Sequence, residues 1–285
     1  TIDGQAMTYG DAKTDFPVQS AGKPLLYSIV SEELGSDYVI DQKQVLAYID
    51  IYFHLSFIDH KFVGREPSGR RFNAFSLNDE KKPHNPLINA GAIMTASLFR
   101  QDLNLSRKFN ELRKKASAIA GYKKIGFSQV LCLPPPTFPP FSYNLPINNN
   151  LGVYLSERDT AYRNFALANY MKSQGGFPEG VDIMEATDFY LQSTHYTKVH
   201  RTPTLPTCYN NNSVFLEVTC DVLASCGATY ANNGTSPITG EKVMSFDTVK
   251  NTLQIMYSCG MYDYSGEWAC TIGLPGNLKL KHQKK

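Results

Sequence analysis

Residues 19–35 read QSAGKPLLYSIVSEELG. Leu25, Leu26, Ile29, Val30 and Leu34 recur at helical spacing, so a helix with an apolar stripe is expected over Ser20–Leu34. Gly35 suits its end, because glycine takes up the left-handed conformation of a helix terminus without a Cβ penalty. Pro24 falls near the first turn, where a missing N–H costs least. Ser20-Ala-Gly-Lys23 therefore stands at a helix start, and residues i and i+3 share a face, so Lys23 Nζ can reach Ser20 Oγ. A lysine kept neutral by burial can take the hydroxyl proton, as in Ser-Lys acyl-transfer enzymes. The helix N-terminus would favour negative charge developing there. S-x-x-K arises by chance about once in a chain this long. Alone, it reads as a capping serine with a surface lysine, and the chemical reading needs other groups to converge on it.

Outward from this stretch, periodicity and caps predict further helices at Leu87–Arg100, Asn104–Ala120 (ended by Gly121), Ser156–Ser173, Val181–Gln192, Thr219–Tyr230 and Ser245–Ser258 (ended by Gly260). Ser156 with Asp159 resembles a capping box, Asp replacing the usual Glu or Gln. Strands are expected only at Thr1–Asp3 and Trp268–Ile272, so the body is helix-dominated. Three segments break the texture. Ile40–Asp59 is aromatic and β-branched. Ile125–Ser156 lacks any charged residue and carries six prolines and Asn148–Asn150. Thr194–Phe215 carries Pro203, Pro206 and Asn210–Asn212. Structureless loops this long are uncommon inside a compact domain and read as functional lids or later additions.

The 285 residues are 42% hydrophobic and 12% aromatic, which excludes a disordered or collagen-like chain. A net charge of +2 argues against a dedicated nucleic-acid surface. No run of about 18 uncharged apolar residues reads as a membrane span; the nearest, Gln44–Ile58, is short and contains Asp50. Thr1 opens inside folded-looking sequence with no targeting segment, so the chain does not report its own address. Six cysteines without a C-x-x-C read as reduced thiols. Six histidines without H-x-x-x-H or H-E-x-x-H make no metal site. Neither a glycine-rich phosphate loop nor a G-x-S-x-G elbow is present.

Other groups do accompany Ser20 and Lys23. Glu157 and Asn164 lie seven apart on one expected helix, about 20° from eclipsed, a carboxylate and an amide suited to the ammonium and carboxylate of an amino acid. A solvated Glu and Asn would show the same spacing. Asn89 sits in INAGAI, where Ala90, Gly91 and Ala92 allow close backbone approach; helix packing explains that equally well. In CGMYDYSG, after a helix end, Tyr262 and Tyr264 could donate protons to a leaving group, or simply pack in a turn.

Together these pieces resemble the serine-dependent glutaminase family, in wording similar to the phosphate-activated mitochondrial glutaminases of animals. The resemblance rests on TIDGQ (1–5), QS-x-x-KP (19–24), GREPSGRRFN (64–73), KPHNPLINAGAI (82–93) and SERDTAYRNFA (156–166). It continues through FPEGVD (177–182), DFYLQ (188–192), EVTC (217–220), PITGEKV (237–243) and SCGMYDYSGEWA (258–269), in family order over most of the chain. It implies an α+β, helix-rich fold of the β-lactamase/transpeptidase-like class, with much of the central sheet missing at the chain ends. It implies hydrolysis of L-glutamine to L-glutamate and ammonia through a γ-glutamyl-enzyme ester. Ser20 would be the nucleophile, its N–H half of the oxyanion hole, Lys23 the general base, and Tyr262 the proton donor to ammonia. Ser20, Asn89, Glu157, Asn164, Tyr190 and Tyr262 would bind substrate, with Glu157 facing the α-amino group. No cofactor or metal is implied. Phosphate would be an activator, a homotetramer the assembly and the mitochondrion the location, with the cytoplasm as alternative. Neither nucleic acid nor membrane is an implied partner.

The chain also departs from the family pattern. After GLP it reads GNLKLKHQKK instead of the glycine-rich motif that supplies the second oxyanion N–H. A pocket tyrosine of the family would precede Thr1. The resulting expectation is one catalytic domain over 1–275, incomplete at both ends, with atypical insertions at 40–59, 131–152 and 194–215 and a basic non-family tail at 276–285. Their composition suggests translated intron sequence. Two alternatives stand beside glutaminase: a non-catalytic relative acting as an assembly subunit, and a Ser-Lys acyl hydrolase acting on another amide such as a β-lactam.

Overall fold

The computed structural model describes residues 1–35, 40–41, 59–60, 62–126, 158, 161–194 and 216–277. The expected insertion at 131–152 lies outside these, as do nearly all of 40–59 and 194–215 and the tail from 278. Eight helices are described: α1 (Gly22–Leu34), α2 (Asn89–Leu98), α3 (Leu105–Ile119), α4 (Tyr162–Ser173), α5 (Ile183–Thr194), α6 (Cys220–Ala231), α7 (Phe246–Cys259) and α8 (Ser265–Thr271). Short 3-10 turns occupy Gln19–Ala21 and Tyr262–Tyr264.

Local sequence signals account for several of these boundaries. Asn104, Thr219 and Ser245 each accept a backbone N–H of the first turn they precede, at Arg107, Val222 and Thr248. Gly35 and Gly121 follow α1 and α3 with φ of 75° and 70°. On α3, Phe109, Leu112, Ala116 and Ile119 form the buried stripe. α1 is more than a stripe, because every residue from Gly22 to Ser31 is buried. It is the central helix, in contact with α2, α3, α5 and α7.

α2 is likewise buried at all ten positions. It packs most extensively on α5, where the Phe99 and Phe189 rings stack 5.5 Å apart. The small residues expected to permit close approach do so: a Cβ at Gly91 would overlap the Asn85 carbonyl. Asn85 Oδ1 accepts the N–H groups of Leu87 and Ile88 and Nδ2 donates to Glu66 O, which fixes the turn entering α2. Polar links tie the layers together. Ser28 and Tyr230 hydroxyls lie 2.6 Å apart between α1 and α6. Lys108 Nζ meets Glu185 at 2.7 Å between α3 and α5.

Sheet is sparse among the described residues. β1 (Phe16–Pro17) pairs antiparallel with β4 (Glu217–Val218), Phe16 opposite Val218. Gly126 bridges to Glu217 from the other side. β2 (Ile40–Asp41) pairs with β3 (Asp59–His60). No central sheet is present among these residues.

Both expected strands are corrected. Thr1–Asp3 is a turn, closed by Gly4 N–H to Thr1 O at 3.2 Å and by a Thr1 hydroxyl bonded to Asp3. Short polar side chains there satisfy the backbone locally. Trp268–Ile272 is helical: α8 covers it to Thr271, and Ile272 N–H reaches Trp268 O at 2.8 Å. Its aromatic and β-branched residues suggest strand, but the local i to i−4 bonds prevail. The helix expected from Ser156 is also shorter. Arg158 is helical, but Ala161, at φ −84° and ψ 24°, breaks the run before α4 begins at Tyr162.

Candidate active site

Ser20 is delivered by two anchors. Ahead of it, the β1–β4 pair continues as Val18 N–H to Leu216 O at 2.9 Å. Behind it, α1 begins. Between them Gln19 adopts φ 52°, a left-handed conformation that a non-glycine residue holds only where its surroundings impose it. Ser20 itself is half-buried at the N-terminal end of α1.

Lys23, one turn on, is 1% exposed, and burial pulls its amine down from 10.5 to about 7. Its hydrogen bond goes to Asn89 Oδ1 at 2.8 Å, not to Ser20 Oγ as the spacing suggested. Asn89 Nδ2 in turn donates to Asn164 Oδ1 at 3.0 Å. The buried chain Lys23–Asn89–Asn164 thus joins α1, α2 and α4. An amine donating one N–H to an amide oxygen and carrying no net charge keeps its lone pair for another donor, which is what a general base near a serine requires.

Tyr262 closes the other side. Its φ is 54°, and Ser265 Oγ holds the turn by accepting Met261 N–H and donating to Tyr262 O. The Tyr262 hydroxyl is buried and makes no hydrogen bond among the described residues. Burial raises its pKa, and the nearby Ser20 side chain offsets part of that rise. Phe72 links both halves. Its ring lies 5.6 Å from that of Tyr262 and its carbonyl accepts Asn89 N–H at 2.8 Å.

The structure therefore brings Ser20, Lys23, Asn89, Asn164 and Tyr262 together. Tyr190 is fully buried on α5, the helix packed against the 19–21 turn. Glu157 lies outside the described residues, and the break at Ala161 removes the continuous helix on which its shared face with Asn164 was argued. Its neighbour Arg158 is paired with Asp188 of α5 at 2.9 Å. Sequence reasoning missed Phe72, whose only signal was its place in GREPSGRRFN. It also missed Asn277, assigned to the tail, whose Nδ2 donates to Ser20 O at 2.9 Å.

A family model described as glutaminase matches residues 1–133 and 141–277. The chain belongs to the glutaminase family. It is 38% identical over 275 residues to the mitochondrial liver-isoform glutaminase of Rattus norvegicus, covering 96% of this chain and 35% of that one. It is 30% identical over 276 residues to a glutaminase of Nostoc, covering 63% of it. In structure it matches a Bacillus glutaminase solved in 4.3 M NaCl, with a TM-score of 0.69 at 25% identity, over 97% of this chain and 72% of that chain. The chain thus spans 35% of the length of these mammalian relatives.

Among the described residues of this glutaminase relative, no three His, Cys, Asp or Glu side chains group as metal ligands, and no helix is long and apolar enough to cross a membrane. Its four described cysteines, Cys220, Cys226, Cys259 and Cys270, are free thiols.

Proposed function

We propose that the chain carries the catalytic groups of a glutaminase that hydrolyses L-glutamine to L-glutamate and ammonia. The observation that carries the reading is the amine of Lys23, buried beside Ser20, titrating near 7 and oriented by Asn89. Lys23 Nζ takes the Ser20 hydroxyl proton as Oγ attacks the γ-carboxamide carbon. The Ser20 N–H and the start of α1 stabilise the oxyanion. Tyr262 donates the proton that lets ammonia depart and is reprotonated through Lys23. A water activated by Lys23 then cleaves the γ-glutamyl ester. Asn89, Asn164, Tyr190 and Glu157 hold the amino-acid end, Glu157 by its charge against the α-ammonium. The chemistry asks for no cofactor. A β-lactamase/transpeptidase-like architecture, phosphate activation, a homotetramer and a mitochondrial address are carried by the family resemblance and belong to the same proposal.

Ammonia release from L-glutamine by this chain, with Ser20→Ala as control, tests the reading. Turnover abolished in the variant supports it. Absence of turnover, with stable assembly onto a full-length glutaminase, assigns a subunit role instead. Hydrolysis of a chromogenic β-lactam without glutamine turnover assigns a different acyl hydrolase.

A further inference from the structure

We propose that Asn277 is a positioning residue for the nucleophile, holding the Ser20 peptide at a set distance from Tyr262. The proposal rests on the reading of Ser20 given above. Asn277 Nδ2 donates to Ser20 O at 2.9 Å, a contact across 257 positions of sequence. The strained turn at Gln19 makes such a hold useful, because a left-handed non-glycine residue next to the nucleophile relaxes unless neighbours restrain it.

The segment bearing Asn277 is itself seated on the element that carries Tyr262. Trp268 Nε1 donates to Leu274 O at 2.7 Å. Gly260 and Gly276 approach so closely that a Cβ at Gly260 would overlap the Gly276 carbonyl. Gly260 is two residues before Tyr262. One short loop therefore grips the nucleophile's backbone at one end and the base of the proton donor at the other. Only the donor side of the amide serves: turned over, Oδ1 would face the Ser20 carbonyl lone pairs. Asn277 Oδ1 is buried with no partner among the described residues, so the Nδ2 contact is the side chain's hydrogen bond there.

The rate of covalent labelling of Ser20 by a fluorophosphonate, followed by intact mass, reads the placement of Oγ without requiring glutamine turnover. Ser20→Ala is the blank. In Asn277→Ala, labelling and kcat for glutamine are expected to fall about tenfold or more, as for a misplaced reacting group, with KM within about twofold and the thermal midpoint unchanged. In Asn277→Asp the carboxylate has no proton to donate, so labelling is slow near neutrality. The ratio of variant to parent rate then rises as pH falls through the carboxyl's titration, because the neutral acid donates again. Parent-like labelling in Asn277→Ala, a ratio flat with pH in Asn277→Asp, or an unlabelled Ser20 in the parent chain would each overturn the proposal. Rapid labelling without glutamine turnover would leave it standing and defeat the substrate assignment instead.

Discussion

Burial brings the Lys23 amine to about 7, from an ordinary 10.5, and this sets two pH responses in different windows. The proposed reaction needs the neutral amine, so kcat/KM for glutamine is expected to rise with pH through about 7; a profile flat from pH 6 to 8 would remove Lys23 as the base. Lys23→Arg, which cannot lose its proton there, is expected to lose about 10²–10⁴ in kcat. Stability responds over a different window. The folded pKa lies below the unfolded one, so between about 7 and 10.5 the unfolded chain binds one more proton, and stability rises with pH across that range. Urea midpoints at several pH values should show the rise, and Lys23→Met should flatten it. Tyr262→Phe removes a buried hydroxyl with no partner among the described residues, so the midpoint should hold while kcat falls about 10²-fold. Ser20 and Lys23 were legible as a tetrapeptide at a helix start. The left-handed φ of Gln19 and Tyr262 was not, since local sterics oppose it and only tertiary contacts impose it.

At the scale of elements, helix ends were the most legible feature, because caps are local chemistry: Asn104, Thr219 and Ser245 at the starts, Gly35 and Gly121 at the stops. Ser245→Ala removes the acceptor for Thr248 N–H and a donor to Glu32, and is expected to cost about 1 kcal/mol by urea titration. Gly91→Ala should be worse despite lying in a helix, where alanine ordinarily gains about 0.5–1 kcal/mol over glycine. Overlap with the Asn85 carbonyl reverses the sign, and a net loss of about 1–3 kcal/mol is expected. A stabilised Gly91→Ala protein would contradict the tight seat of α2. Strands were poorly legible. β1 and β4 are two residues each, too short for any period-2 pattern, and their pairing joins positions about 200 apart in the chain.

For the whole molecule, a helix-rich body was foreseen from composition and period, while the all-round burial of α1 was not. A stripe reveals one partner, and α1 has partners on every side. The proposed tetramer is a property of this scale, and sedimentation of the purified chain checks it: a monomer across micromolar concentrations would count against it. Transcript sequencing checks the three atypical segments, and a message encoding all of them would reject the intron reading. The central place of α1 bears on how this glutaminase relative can change. The helix that hosts the proposed general base is also buried at every position from Gly22 to Ser31, so interior replacements there damage the fold and the reaction together. Ser20 lies outside that helix, half-buried in a short turn, while the Tyr262 ring packs against Phe72. Lineages that lose activity while keeping a stable protein would therefore be expected to drift first at position 20, and last inside α1.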